Sequence, residues 1–476
     1  DRKYLGDEDA ITTRLVSDLE VLNLHRTALN CLTLLKVYEI DFDESPVNRS
    51  EMIKRVLFLL FNIDDIPTYK LRPDLKDCEY VLGYFCETLM KRGEHLFSRD
   101  QFLIETQRCC HERLIDLETQ VVFDVLYANN IITSYGNFFY FKFSYWVYYF
   151  AAQRMHHSTG FASYILEEMR YSHYPELIEF YTGIDRHRDD ALKILIRDLS
   201  LSSSDVKEKC GLPDGLDPYR FAQWNTSDEM RKKMEDELIE GVKESNLPAV
   251  VKDKYADRYY DRSRPYDQTI RSILTENSFT RMMHTMRAAS RALRNSDYVC
   301  PDIKRQLLAE IMVCWEQASK VLFVILPILA EDGYAQFDGA AFRLSNDFSK
   351  SPEERFLQIL QVIPSNIVNW TKDDLFSQKM GPLLFDQINN ADLSSLSKHE
   401  LILMLIEQRP REWAKHVHKY ITGIQKNSFY LLDIYQGLRA QYRYGYVSPS
   451  GLSEIEHLIK VSLTKHITGD RDPGVK

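Results

Sequence analysis

Residues 131–152 read Ile-Ile-Thr-Ser-Tyr-Gly-Asn-Phe-Phe-Tyr-Phe-Lys-Phe-Ser-Tyr-Trp-Val-Tyr-Tyr-Phe-Ala-Ala. Two short runs rich in Ile, Tyr and Phe are split at Gly136-Asn137, a dipeptide suited to the positive φ angles of a tight turn, and they read as a β-hairpin. After Ser144 no turn residue occurs until Ser158-Thr159-Gly160, so the aromatic run between them reads as a buried helix. Three helix-like segments precede the hairpin. Asp77–Lys91 places Val81, Leu82, Phe85 and Leu89 inward, Ser98 is a fitting N-cap for a helix to Cys109, and Asp116–Ala128 carries Val121, Val122, Val125 and Leu126. Helices followed by a two-stranded hairpin give the outline of a winged helix.

Upstream, Glu8–Leu24 is amphipathic, with Ile11, Leu15, Leu19 and Leu22 on one side, and Leu24–Leu35 follows as a more buried helix. Asp41–Asn48 is a loop, and Asn48 or Ser50 caps a helix reaching about Phe61. Asn62–Lys76, with Pro67 and Pro73, is a connection. Downstream of the hairpin, Phe161–Arg170, Pro175–Tyr181 and Arg188–Leu199 read as a small helical layer stacked on the aromatic helix. Ser202–Asp267 changes character. It holds Gly211, Pro213, Gly215 and Pro218, a strongly charged helix over Ser227–Glu244, and the tyrosine-rich stretch Tyr255–Tyr266. Beyond it the pattern predicts Thr269–Asn295 as one helix or two, then Asp302–Pro327 with Pro301 as its first residue. A loop over Asp332–Asn346 precedes Glu353–Val362, Asp373–Asn389, Leu396–Glu407, Glu412–Tyr442 and Ser450–Thr464. The expected fold is mainly α, with no fixed-period repeat. It comprises a helical subdomain (1–49), a winged-helix domain with a small β-hairpin (50–158), a short helical layer (159–201), a connecting region (202–268) and an all-helical sensor or partner-binding domain (269–476).

Composition agrees with helices, since Gly (18) and Pro (16) are scarce in a chain of 476 residues. A net charge of −10 argues against a chain that binds nucleic acid through bulk electrostatics. The eight cysteines form no C-x-x-C pair and mostly sit in apolar helical patterns, which points to reduced thiols and a cytoplasmic location. No signal peptide is visible, and the longest apolar run, Val321–Ala330, is broken by Pro327 and too short for a bilayer. Residue 1 is Asp rather than Met, which suggests a processed form or one part of a longer protein.

No G-x-x-x-x-G-K-[ST] loop occurs, and no G-x-G-x-x-G follows a strand, so these residues offer no phosphate cradle of their own. His416 and His418, two apart on a helix, point about 200° away from each other and do not converge on a metal. His156 and His157 diverge likewise, Cys110-His111 lacks a third ligand, and no metal site is expected. Asp189-Asp190 and Glu235-Asp236 lack the positioned partner that acid–base work needs. Arg287, Arg291 and Arg294 fall at i, i+4 and i+7, with Arg281 upstream. Such a face suits an acidic or phosphate-bearing partner, or else ion pairs within the protein. The wing tip Ser134–Asn137 has no Lys or Arg, and Asp116–Ala128 has three carboxylates and no basic residue, which argues against DNA contact.

This order of elements, with Phe141-Lys142-Phe143 followed by Tyr149-Phe150-Ala151-Ala152, resembles the part of a STAND-class NTPase of the NACHT kind that follows the nucleotide-binding core. In that family the winged helix commonly ends in Phe-x-His and then an aromatic pair with Ala-Ala. Leu24-His-Arg-Thr-Ala-Leu-Asn-Cys-Leu is similar to the family segment that opens the helical subdomain. Two positions depart: the phosphate-sensing His of the family is Phe143 here, and the Pro lying against adenine is Ala28. The resemblance implies that Arg26, Ala28 and Phe143 are nucleotide-proximal, and that Arg26 is the one able to reach a phosphate. It further implies the regulatory and sensor portion of a switch that holds a resting state, senses a ligand (a protein at the C-terminal helices) and then oligomerises, in bacterial antiviral defence or signalling. The chain itself would then hold no cofactor and perform no catalysis. ATP or ADP and magnesium would bind a P-loop domain upstream or in trans. The alternatives are a helical adaptor or winged-helix transcription regulator, and an enzyme whose site is assembled from residues distant in sequence.

Overall fold

The aromatic run that follows the hairpin needs apolar surfaces on both sides, and the fold supplies them. The computed structural model describes residues 8–21, 28–40, 46, 48–62, 73–211, 216–220, 224, 277–338, 340–344, 351–445 and 447–469. Among the described residues are eighteen helices and two two-stranded sheets, so the chain is mainly α. It divides into two units: Asp1–Ser202 with Ser263–Leu307, and Ser203–Arg262 with Leu308–Lys476.

In the first unit α1 (Glu8–Val21), α2 (Ala28–Ile40) and α3 (Arg49–Asn62) precede the winged helix. The winged helix comprises α4 (Leu75–Arg92), α5 (Arg99–Arg113), α6 (Thr119–Ala128), β1 (Ile132–Tyr135) and β2 (Phe138–Phe141). Asp74 caps α4 by accepting from Lys76 N and Asp77 N, and Gly93, at φ 68°, ends it. Ser98 caps α5 as its sequence position predicts, accepting from Gln101 N at 3.0 Å. Gly136 turns the hairpin at φ +60°, and Tyr135 pairs with Phe138 across it. Phe97, between α4 and α5, forms a bridge to Phe139 through paired backbone bonds of 2.9 and 2.7 Å. That one-residue strand completes the helix–strand–helix–helix–hairpin order of a winged helix. The core is an edge-on aromatic cluster: Phe85 meets Phe97 at 5.0 Å and Phe102 at 4.8 Å, and Phe102 meets Phe123 at 5.3 Å.

The aromatic stretch is α7 (Ser144–His157), which packs on α4 and on α9 (Pro175–Ile184). Between them lie α8 (Thr159–Leu166) and a 3-10 turn over Glu167–His173. Next comes α10 (Asp189–Cys210, with Ser203 onward in the second unit), eleven residues longer than the sequence pattern ending at Leu199 suggests. The helix α11 (Ser278–Asn295) packs on α9 in the first unit, whereas the sequence reading placed it with the C-terminal helices. Its buried apolar face packs on α9, and two of its arginines pair with that helix.

The second unit holds the remaining helices. Here α12 (Pro301–Asp332, with Leu308 onward in this unit) runs through Pro327, and α13 (Pro352–Leu375) runs through Pro364. A proline inside a helix costs about 3 kcal/mol, and here burial outweighs it. Among the described residues α12 is the one helix long and apolar enough to cross a membrane, yet 67% of its apolar window is buried inside the protein, as in a core helix. The loop expected over Asp332–Asn346 contains a second hairpin, β3 (Tyr334–Phe337) and β4 (Ala340–Arg343), so this region is not helical throughout. The Asp373–Asn389 helix is broken: α13 ends at Leu375 and α14 (Gly381–Ile388) begins after a 3-10 turn. Then follow α15 (Ser395–Gln408), α16 (Trp413–Gly423), α17 (Phe429–Tyr444) and α18 (Pro449–Thr468). Leu401 to Ile406 of α15 are all buried, the mark of a helix at the centre of a bundle. From the connecting region, Tyr219 stacks on Phe429 at 4.5 Å and Trp224 on His466 at 3.8 Å. The charged helix over Ser227–Glu244 and the stretch Tyr255–Tyr266 lie outside the described residues.

Candidate functional site

The three positions expected from the resemblance to lie near a nucleotide fare differently. Arg26 lies outside the described residues, and Ala28 is the exposed first residue of α2. Phe143 stands at the N-cap of α7 in extended conformation (φ −127°, ψ 135°). Its ring stacks on Tyr145 at 5.4 Å, with the Lys142 ammonium 5.8 Å from its centroid. A carbon ring so held packs the hairpin–helix junction and offers no hydrogen bond to a phosphate.

The four arginines of the predicted basic face are all on α11, and two converge on one point. Glu179 of α9 is only 1% exposed. Its Oε1 accepts a short bond from Arg294 Nη2, and its Oε2 accepts from Arg49 Nη1 at 2.9 Å and Arg291 Nη1 at 3.2 Å. Asn295 Nδ2 donates to the Glu179 carbonyl at 3.1 Å, and Arg291 also pairs with Glu176 at 2.9 Å. Burial alone would raise this carboxyl. The combined attraction of Arg49, Arg294 and Arg291 outweighs burial and lowers it to about 2. So Arg291 and Arg294 serve inside the fold, while Arg281 and Arg287 are half-buried on the same helix.

The first turn of α3 supplies the other side of this site. Asn48 is its N-cap, accepting from Glu51 N at 3.0 Å. Asn48 Nδ2 also donates to Gly183 O at 2.9 Å, and Ser50 Oγ to Phe180 O at 3.4 Å. Contact here is close: a Cβ on Gly183 would lie 2.4 Å from Ser50 Oγ, which would have to move. Sequence reasoning missed Glu179. The available signal was Glu176-x-x-Glu179 on an otherwise apolar helix, which demands a buried counter-charge.

Two more buried pairs fasten α7 to α4. Tyr149 OH donates to Glu79 Oε1 at 2.6 Å, and Arg154 Nε to Glu87 Oε2 at 2.5 Å. Nearby, the His156 ring lies over Tyr181 at 4.5 Å. Burial, aided by the Arg188 charge, lowers its pKa to about 4, so it is neutral at pH 7.

The second unit has its own buried polar cluster. His399 Nε2 lies 2.9 Å from Asp433 Oδ2, and its ring packs 4.5 Å from Tyr430. Tyr430 OH donates to Asp217 Oδ2 at 2.7 Å, and Tyr219 OH to Leu360 O at 2.8 Å. Ser319 Oγ donates to Glu400 Oε1 at 2.8 Å. A His–Asp pair resembles catalytic machinery, but His399 is fully buried, and a general base must reach a substrate proton. The cluster ties α15, α17 and the Tyr219 segment together. A groove of about 700 Å³ lies between α16 and α18, lined by Lys415, His418, Ser453, Glu454 and His457 among others. The His418 and His457 rings are parallel at 6.0 Å, and Glu454 accepts from Trp413 Nε1 at 3.0 Å. Among the described residues no group of three His, Cys, Asp or Glu side chains is placed to hold a metal ion.

These features define a mainly helical protein whose winged helix is fused through α7 to a helical layer. No family model, curated protein or solved structure matches the chain.

Proposed function

We propose that the chain is the regulatory and sensor portion of a nucleotide-dependent switch of the STAND type, acting in bacterial antiviral defence or signalling. The observation that carries the reading is the setting of the Tyr149–Ala152 stretch. All four residues are fully buried, on a helix that joins the winged helix to the layer formed by α9. A winged helix built this way is one body with its neighbours, suited to holding a resting arrangement. Its surface argues against DNA reading: α6 has no basic residue, and its Asp124 pairs with Arg99 at 3.0 Å. The chain is read as non-enzymatic. ATP or ADP and magnesium would bind a P-loop domain upstream or in trans, and Phe143 takes a packing role where the related proteins sense phosphate. The helices of the second unit would receive a protein ligand, and homo-oligomerisation would follow.

The test is to identify the P-loop domain in the complete reading frame or in a co-purifying chain, then to measure the mass of the assembly with ATP and with ADP. A nucleotide-dependent change in mass is expected. Absence of any P-loop partner, or salt-dependent binding of duplex DNA by this chain, would refute the reading.

A further inference from the structure

Glu179 receives partners from two elements far apart in sequence. α3 brings Arg49, and α11 brings Arg291, Arg294 and Asn295. Arg49 and Arg291 bond the same oxygen, Oε2. Three guanidinium groups meet two carboxylates here, those of Glu176 and Glu179. The arginines repel one another, and Glu179 is the charge they share. Removing it takes away the carboxylate that Arg49, Arg291 and Arg294 share in a poorly screened site, while the Glu176 pair with Arg291 stays. Each helix also buries apolar residues, among them Met282, Met286, Ala289 and Leu293 of α11, which packs along α9, and the other polar contacts named below belong to one helix or the other. On the α3 side they are the bonds of Asn48 and Ser50 to Gly183 and Phe180. On the α11 side His284 Nδ1 lies 3.1 Å from Ser172 O, Arg186 Nη1 donates to Asp297 Oδ2 at 2.7 Å, and Tyr298 N donates to Arg186 O at 3.2 Å.

We infer that Glu179 is a single-charge latch: neutralising it releases α3 and α11 from α9 together, while the winged helix and α7 keep their fold. The helices of the winged helix rest on a separate aromatic core and on the Tyr149–Glu79 and Arg154–Glu87 bonds, none of which uses Glu179. The latch gives the switch reading a joint that can open, and it rests on that reading for its use. It is tested without nucleotide, so failure of the latch and failure of the switch reading are separate results.

The experiment is amide hydrogen exchange on the full chain and its Glu179→Gln variant. Exchange over 49–62 and 278–295 should quicken together, by roughly two to three orders of magnitude for a broken buried pair, with 75–92 and 144–157 unchanged. No change in either helix would overturn the latch, as would equal acceleration throughout the winged helix. Arg49→Met keeps the carboxylate and both α11 arginines, so it should quicken exchange in α3 alone. If α11 loosened as much as α3 in that variant, α3 docking rather than the shared charge would be holding α11, and the inference would fail.

Discussion

Replacing Glu400 with glutamine should stabilise the second unit, by an amount that grows with pH. Glu400 is fully buried on α15. Burial pushes its carboxyl up to about 8 against the opposing Ser319 bond, and the Glu316 charge adds to the rise. In the unfolded chain the same group ionises near its ordinary 4.5. Between those values the folded state holds a proton that the unfolded state has released, so stability falls as pH rises. Each unit of separation is worth about 1.4 kcal/mol, which makes the cost small at pH 5, roughly 3 kcal/mol at pH 7 and level above about pH 8. Glutamine has the shape of the protonated acid, keeps an oxygen for Ser319 Oγ and never ionises. Urea unfolding followed by tryptophan fluorescence suits the measurement, because Trp224, Trp315, Trp370 and Trp413 lie in the second unit and only Trp146 in the first. The variant should match the parent near pH 5 and exceed it by a margin that widens to pH 8. Equal stability at every pH, or a variant weaker throughout, would mean that Glu400 is ionised and paired, and would sink the reasoning.

Other substitutions test the joints of the first unit. Gly183→Ala should cost about 1–3 kcal/mol, the usual range for overpacking, because its Cβ meets Ser50 Oγ at 2.4 Å. Adding Ser50→Ala should recover part of that in the same urea titration, and no recovery would place the strain elsewhere. Tyr149→Phe removes the donor to Glu79 and should cost roughly 1–3 kcal/mol. The double variant with Glu79→Leu should lose less than the two single changes added together. Thiol labelling should begin at Cys300, which is exposed, and Cys300→Ser should abolish the fastest phase with a disulfide reagent. Cys86 and Cys314 should react only on unfolding, because burial raises both thiols well above their ordinary value.

The parts of the fold legible in sequence were those with a local cause. Gly136-Asn137 dictates a turn, Ser98 caps whatever helix follows it, and the aromatic period of Ser144–Met155 demands burial on both sides. The parts that escaped have causes remote in sequence or overridden locally. Phe97 is a strand only because Phe139 stands opposite, and a single residue cannot show alternation. Asp338-Gly339 was a usable hairpin signal inside the stretch read as a loop. Pro327 and Pro364 punctuate nothing, because the helices they interrupt are held by burial.

The arginines of α11 show the limit most clearly. Their spacing at i, i+4 and i+7 fixes that they share a face, and sequence leaves open what that face meets. The answer, Glu179, lies 115 residues away from Arg294 and 130 from Arg49. Both sets of facts had to be combined: an acidic residue between Ile178 and Phe180 on an apolar helix requires a counter-charge, and a basic stripe requires an acceptor. Each requirement was readable alone, and only the fold pairs them. That pairing goes with the packing of α11 along α9, which puts α11 in the first unit rather than with the C-terminal helices.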